Sequence, residues 1–402
     1  MTMKTARILS IDGGGIRGLI PASLLSNFEK SLGMPISKCF HMVAGTSTGG
    51  IIACGLTQPK NSLSAAKVVD FYKTHGQSIF ESKYGIAAGA VGSIYEAAPL
   101  EKAISEVLNG TISEVVANDL LVTAYDIETR APHIFKSWKG QESKTDNYKI
   151  KDVARATSAA PTYFPPARIF NQSSKAFSLV DGGVYANNPA MCAYVAARRL
   201  YPTADQYLIV SIGTGKLRNP YKYDDAKDWG FVGWAQPLLS MMFDGVSDTI
   251  DYQLSQLGPE VASFRFQADL ARIKASEAMD NVTDENLAAL ISAGDDIWKT
   301  DSDKVNAVIS ILRQPLIDRA ALGYSVKKEA VASKVFTKPK LTATKTLTKA
   351  LNSDTIEGKV SLLGAATGAV LGGLAAGPIG MIAGATAGYY GGKEIAQPEK
   401  KA

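Results

Sequence analysis

The chain has 402 residues, 46% of them hydrophobic, and a formal net charge of +5. That is enough for one large core or two domains, and the basic residues are spread along most of the length, so charge gives no reason to expect a nucleic-acid polymer as partner. Cys39, Cys54 and Cys192 stand far apart in apolar surroundings and read as reduced, buried thiols, not metal ligands.

Histidine is scarce: only His41, His75 and His133 occur. A hydrolase triad that places its histidine late in the chain, after the acid, therefore has no candidate. The first residues carry no apolar signal segment and lead straight into a strand, which fits a cytoplasmic protein.

Arg7 to Ile11 reads as a short strand, followed by Asp12-Gly13-Gly14-Gly15-Ile16-Arg17-Gly18. Three consecutive glycines let the backbone approach a ligand and aim its N–H groups one way, as an anion-binding nest does. A helix follows through Leu24, Leu25, Phe28 and Leu32, and Gly33 ends it. The same stretch satisfies Gly-x-Gly-x-x-Gly at Gly13, Gly15 and Gly18. A dinucleotide fold, however, needs a second strand ending in an acid about twenty residues on. Glu29 lies inside the helix instead.

The second strand spans Phe40 to Ala44 and ends in Gly45-Thr46-Ser47-Thr48-Gly49, with a helix beginning at Ile51. A Gly-x-Ser-x-Gly turn between strand and helix lifts its serine hydroxyl out at the strand's carboxyl end. Side chains larger than glycine would clash on both flanks. His41 lies on the strand well below the turn and reads as a core histidine with its ring satisfied.

Residues 61–117 read as helical, with His75 at a surface position. The exception is Gly85 to Ser93, which reads equally as a mobile cover over a cleft or as a poorly ordered connection. Leu120–Ile127 and His133–Trp138 read as strands, Gln141–Tyr148 as a polar loop, and Asp152–Ala160 as a small-residue helix leading to Pro161. Phe177–Val180 is a strand running into Asp181-Gly182-Gly183. Asp181 there is either placed to reach a neighbouring strand's turn or is simply a turn former. A helix follows from Asn187 to Leu200, and then the strand Tyr207–Ile212. Its Gly213-Thr214-Gly215-Lys216 end lacks the first glycine of a Walker loop. From Asp228 to Leu322 the pattern is mainly helical, with one strand at Ala262–Gln267. Alternating strands and helices indicate an α/β layered sheet, and sites in such sheets form at the carboxyl ends of strands.

Four blocks in this order resemble the patatin family of lipid acyl hydrolases, over roughly residues 5–325: Asp12 to Gly18, Gly45 to Gly49, Ala156-Thr157-Ser158-Ala159-Ala160-Pro161, and Asp181 to Gly183. The resemblance implies a three-layer α/β hydrolase with a central, mostly parallel sheet, and a Ser47–Asp181 dyad that needs no histidine, metal or cofactor. Ser47 would be the nucleophile and Asp181 the proton carrier, with the amides of Gly13, Gly14 and Gly15 as the oxyanion hole. Arg17 would brace the loop or meet a lipid phosphate. The substrates implied are phospholipids or lysophospholipids. The resemblance leaves open a regulated antiviral or toxic effector, acting as a homo-oligomer and switched on by a cyclic nucleotide, although no nucleotide-binding motif is present. Two other classes stay open: a membrane-perturbing or scaffold protein that uses the fold for targeting, and an acyltransferase or thioesterase.

Composition shifts after residue 325. A basic linker covers 326–358, with seven lysines between Lys327 and Lys349. In 359–392, Gly364, Gly368, Gly372, Gly380, Gly384, Gly388 and Gly392 recur every fourth position, with Ala376 in the gap, and Pro378 interrupts the run. That grid predicts a glycine-zipper helical hairpin, followed by a polar tail at 393–402. Either arm is shorter than a bilayer span, so the expectation is contact with, or partial insertion into, a membrane, with the lysines on an anionic leaflet. The alternative is a hairpin packed on the globular domain.

Overall fold

The computed structural model describes residues 3–81, 92–216 and 220–324, all within one compact unit, Met1–Lys327. The linker, the glycine-zipper hairpin, the polar tail and most of the Gly85–Ser93 loop lie outside the described residues.

Eight strands form one sheet: β1 (Thr5–Ile11), β2 (Met42–Thr46), β3 (Asp119–Asp126), β4 (Ala131–Lys136), β5 (Ala167–Phe170), β6 (Ala176–Asp181), β7 (Gln206–Ile212) and β8 (Val261–Phe266). The helices before β3 are α1 (Leu19–Leu32), α2 (Thr48–Thr57), α3 (Ala65–Ile79) and α4 (Ala97–Val107). Then come α5 (Ser137–Glu142), α6 (Ile150–Thr157), α7 (Gly183–Ala186) and α8 (Ala190–Leu200). The last four are α9 (Tyr223–Ala226), α10 (Phe231–Ser255), α11 (Asp284–Thr300) and α12 (Ser302–Leu312).

Pairing runs along β5-β6-β3-β2-β1-β7-β8, and β4 also pairs with β3. The run from β3 through β2, β1 and β7 to β8 is parallel. Side chains along these strands alternate between two cores. Leu9, Ile11, Val43, Leu120, Val122, Leu208 and Val210 face the core that α1, α2 and α11 cover. Ala6, Ile8, Met42, Ala44, Leu121, Tyr207 and Ile209 face the core under α8. Burial on both faces is why these strands read as nearly continuous apolar runs, and it gives the three expected layers.

Two of the differences from the sequence reading have a plain physical cause. The strand from His133 stops at Lys136, not Trp138, because the Ser137 hydroxyl takes the Leu120 N–H at 2.9 Å in place of a ladder carbonyl. The chain is then free to turn into α5. Strand β5, whose four residues carry no strong pattern, forms only because the edge of β6 is there to pair with it.

The sheet's direction also changes where it matters most. Both β4 and β6 run antiparallel to β3, and both pair with Ala124, Tyr125 and Asp126. Strand β4 also pairs with residues that β2 pairs with, so β4 and β2 lie on opposite edges of β3. Strand β6 must therefore share β2's edge. It enters from beyond the top of the sheet and takes up the edge that β2 leaves after Thr46. Thr46 faces Thr123, and Asp181 faces the next residue, Ala124. Two strands thus meet head-on, one ending at Thr46 and the other at Asp181.

The histidines stay out of that region. His41 Nδ1 accepts the Arg7 N–H at 2.8 Å, so Nε2 carries the proton and donates to Ile317 O at 2.8 Å. Burial pushes its pKa down to about 4. His133 packs among Phe135, Tyr148 and Phe177, and burial likewise lowers it to about 4. His75 is half-buried, 3.6 Å from Glu106.

Candidate active site

The turn after β2 has the backbone that the pentapeptide requires. Ser47 sits at φ 55° and ψ −125°, a region that non-glycine residues avoid. A Cβ on Gly45 would overlap Gly49 O, and one on Gly49 would overlap Ile11 O, so the turn tolerates glycine alone at both flanks. The surroundings hold the strained residue in place. Ser47 N–H donates to Thr157 Oγ1 at 2.8 Å, and that hydroxyl donates to Thr123 O at 2.7 Å. Thr46 Oγ1 donates to Ala186 O at 2.6 Å. Thr48 Oγ1 meets the Tyr72 hydroxyl under the first turn of α2.

Asp181 reaches the same place from β6. Its carboxyl is 1% exposed, and Oδ1 accepts the Gly183 N–H at 2.7 Å. Oδ2 is buried without a well-formed hydrogen bond. The Ser47 hydroxyl nonetheless exerts a pull on the carboxyl that favours its ionised form. Contacts this loose are common in resting sites and tighten when substrate binds. Burial pushes the Asp181 pKa up to about 7, against the opposing pull of Ser47 and of the Gly183 amide.

The glycine loop packs on the other side of the serine. A Cβ on Gly13 would fall 3.0 Å from Ser47 Cβ. One expectation is corrected here: the Gly13 N–H donates to Asn187 O at 3.1 Å, so it is not open to an oxyanion. Among the described residues, the N–H groups of Gly14 and Gly15 make no hydrogen bond. Gly15 has φ +58°, and Thr214 Oγ1 donates to Gly13 O at 2.6 Å. Below the loop, Arg265 at the end of β8 grips Asp12 with two hydrogen bonds, of 3.0 and 2.6 Å, and its Nε lies 3.1 Å from Asp251. Burial pushes Asp12 up to about 6, and Arg265 pulls it back down.

Ser47 opens into a narrow apolar pocket. Ile51, Phe71, Ile79, Phe80, Leu100 and Phe164 line its length, and Phe243 of α10 and Met279 stand near the serine. A wider cleft adjoins it through Tyr163, Phe243 and Met279. Arg17 stands in that cleft with Asp244 and Glu277 nearby, and burial lowers its pKa. The Arg17 backbone N–H also closes the glycine loop onto Gly14 O, at 3.2 Å. Among the described residues, no group of three His, Cys, Asp or Glu side chains is placed to hold a metal, and no helix is long and apolar enough to cross a membrane.

Sequence reasoning named Ser47, Asp181, the glycines and Arg17. It gave no supporting role to Thr157, Asn187, Thr214 or Arg265. The signals existed: Thr157 lies in one of the four blocks, Thr214 in a loop considered only for nucleotides, and Arg265 is a lone charge in an apolar strand.

A hydroxyl raised on a strained turn beside a buried acid, in a layered α/β fold, places the chain in the class of serine hydrolases. The family model described as Patatin-like phospholipase matches residues 9–194. Patatin-like protein 3 of Arabidopsis thaliana is 30% identical over 353 residues, covering 74% of this chain and 82% of that relative. Patatin-like protein 2 of Oryza sativa subsp. indica is 31% identical over 340 residues, covering 73% and 84%. Among solved structures, human GIVD cytosolic phospholipase A2 aligns with a TM-score of 0.45 at 11% identity, covering 77% of this chain and 60% of that one. The chain belongs to the patatin-like phospholipases, a family of lipid acyl hydrolases.

Proposed function

We propose that this enzyme releases fatty acids from membrane phospholipids or lysophospholipids through a Ser47–Asp181 dyad. The observation that carries the reading is geometric: the Asp181 carboxyl, 1% exposed at the end of β6, meets head-on the strand end that carries the strained Ser47 turn. An exposed aspartate, with a pKa near 4, is too weak a base for a hydroxyl; a desolvated one is stronger. Ser47 Oγ attacks the ester carbonyl and its proton passes to Asp181. The Gly14 and Gly15 amides hold the tetrahedral oxyanion, each such donor being worth ~3 kcal/mol. When the ester C–O bond breaks, Asp181 returns the proton to the leaving alkoxide. Water then attacks the acyl-serine, giving its proton to Asp181. Collapse passes that proton back to Ser47 Oγ and frees the fatty acid. The apolar pocket takes the acyl chain, and Arg17 braces the loop or meets the head-group phosphate.

The wider form of the proposal keeps the organisation of the full chain: a catalytic domain at 1–325, a basic linker at 326–358, a glycine-zipper hairpin at 359–392 and a tail at 393–402. It places the enzyme in the cytoplasm at a membrane, with an effector role under a cyclic-nucleotide activator. Fatty-acid release from phosphatidylcholine vesicles tests the core of it. The intact protein should release acid, and Ser47→Ala and Asp181→Asn should each lose at least 10³-fold. Undiminished release by Ser47→Ala would sink the dyad.

A further inference from the structure

Helix α10 has two faces of different character. Phe243, Ser247 and Leu254 point inward and are buried, and Phe243 lines the pocket at Ser47. At 100° per residue, Trp234, Leu238, Met241 and Met242 fall on the opposite side. They are solvent-exposed, Leu238 by 50% and Met241 by 43%. From Trp229 to Phe243 there are 15 residues without a single charge. Exposed side chains of this size, contiguous on one helix, are rare on a surface that meets only water.

We infer that this outer face is where the catalytic unit docks on a lipid surface, and that the surface it suits is a zwitterionic one. The inference rests on the hydrolase reading and adds the place where substrate enters. Three observations favour a lipid aggregate over a protein partner. The face is continuous with the substrate route: Pro237, Ser240 and Phe243 of the same helix, together with Tyr221, line the wider cleft that joins the pocket at Ser47. A tryptophan beside flexible Leu and Met side chains is the composition of helices that lie in the headgroup–acyl boundary. The uncharged run gives an anionic leaflet nothing to attract, so binding should depend little on salt. An acyl chain leaving the lipid layer beside Leu238 and Met241 would pass round the helix to the apolar pocket without crossing open water.

The test uses the full chain. Phosphatidylcholine vesicles with brominated acyl chains should quench tryptophan emission, and Trp234→Phe should remove at least half of that quenching. Leu238→Ser/Met241→Ser/Met242→Ser should lower phosphatidylcholine vesicle hydrolysis at least tenfold and leave hydrolysis of p-nitrophenyl butyrate, a soluble ester, unchanged. Leu238→Met should behave as the parent. Absence of quenching, or unchanged vesicle hydrolysis in the triple variant, overturns the inference. So does a dimer by light scattering that the triple substitution turns into a monomer, since the face would then join two copies. If the parent protein cleaves neither substrate, the hydrolase reading fails, while the quenching still decides the docking.

Discussion

Replacing Asp181 by asparagine should abolish catalysis and make the protein more stable above neutral pH. The carboxyl is buried, and its pKa is lifted from an ordinary 3.8 to about 7. In acid, below about pH 4, the side chain is protonated in both the folded and the unfolded chain and contributes no pH dependence. Between about pH 4 and 7 the unfolded chain gives up the proton while the folded chain keeps it. The unfolded state then binds fewer protons, so stability falls as pH rises through this window. At 1.36 kcal/mol for each tenfold difference in proton affinity, the cost of ionising Asp181 approaches roughly 4 kcal/mol above pH 7. Asparagine does not ionise. Its carbonyl can still accept the Gly183 N–H, and its amide can donate to Ser47 Oγ, so the neutral geometry is kept. Asp181→Asn should therefore match the parent near pH 4 and exceed it by about 2–4 kcal/mol at pH 8. That corresponds to a melting temperature several degrees higher. Thermal melts of both proteins across pH 4–8 measure this difference. A gap that does not grow with pH, or a variant less stable than the parent at pH 8, refutes the claim that Asp181 is held desolvated for catalysis.

The same pKa sets the rate profile. With the base titrating near 7, kcat/KM on a soluble ester should rise tenfold per pH unit below 7 and be on the order of 100-fold lower at pH 5 than on the alkaline plateau. A flat profile from pH 5 to 8 would remove Asp181 from the base role. Gly14→Ala adds a Cβ that overlaps the Thr214 hydroxyl, so it should push the loop off the serine and cost ~10²–10³ in kcat, with KM changed less. Thr157→Val keeps the shape but leaves the Ser47 N–H without its acceptor. It should destabilise the protein by about 1–3 kcal/mol in urea titrations and lower kcat as the turn relaxes. Arg265→Met strands Asp12 and Asp251 without their cation and should cost ~3–5 kcal/mol, with Arg265→Lys recovering part of the loss.

Much of the site was legible in the chain because it is built from local backbone demands. Gly45 and Gly49 are needed by a turn that closes within five residues, and Ser47 needs that turn to leave the plane of the sheet. The layered fold was legible because strands buried on both faces must be apolar throughout. The lack of any late histidine narrowed the chemistry before any geometry was known.

What only the tertiary structure decided is how remote segments share those local features. The sequence places Asp181 at a strand end but says nothing of that strand's direction, because direction is set by which neighbour's edge the strand pairs with and not by its own residues. It is pairing along β3 that brings β6 head-on to β2 and seals its carboxyl from water. Nor could the glycine run show that Gly13 would spend its amide on Asn187, some 170 residues later, and leave two donors in place of three. Backbone geometry is written in neighbouring residues, whereas hydrogen-bond partners and desolvation depend on which distant surfaces the folded chain presses together.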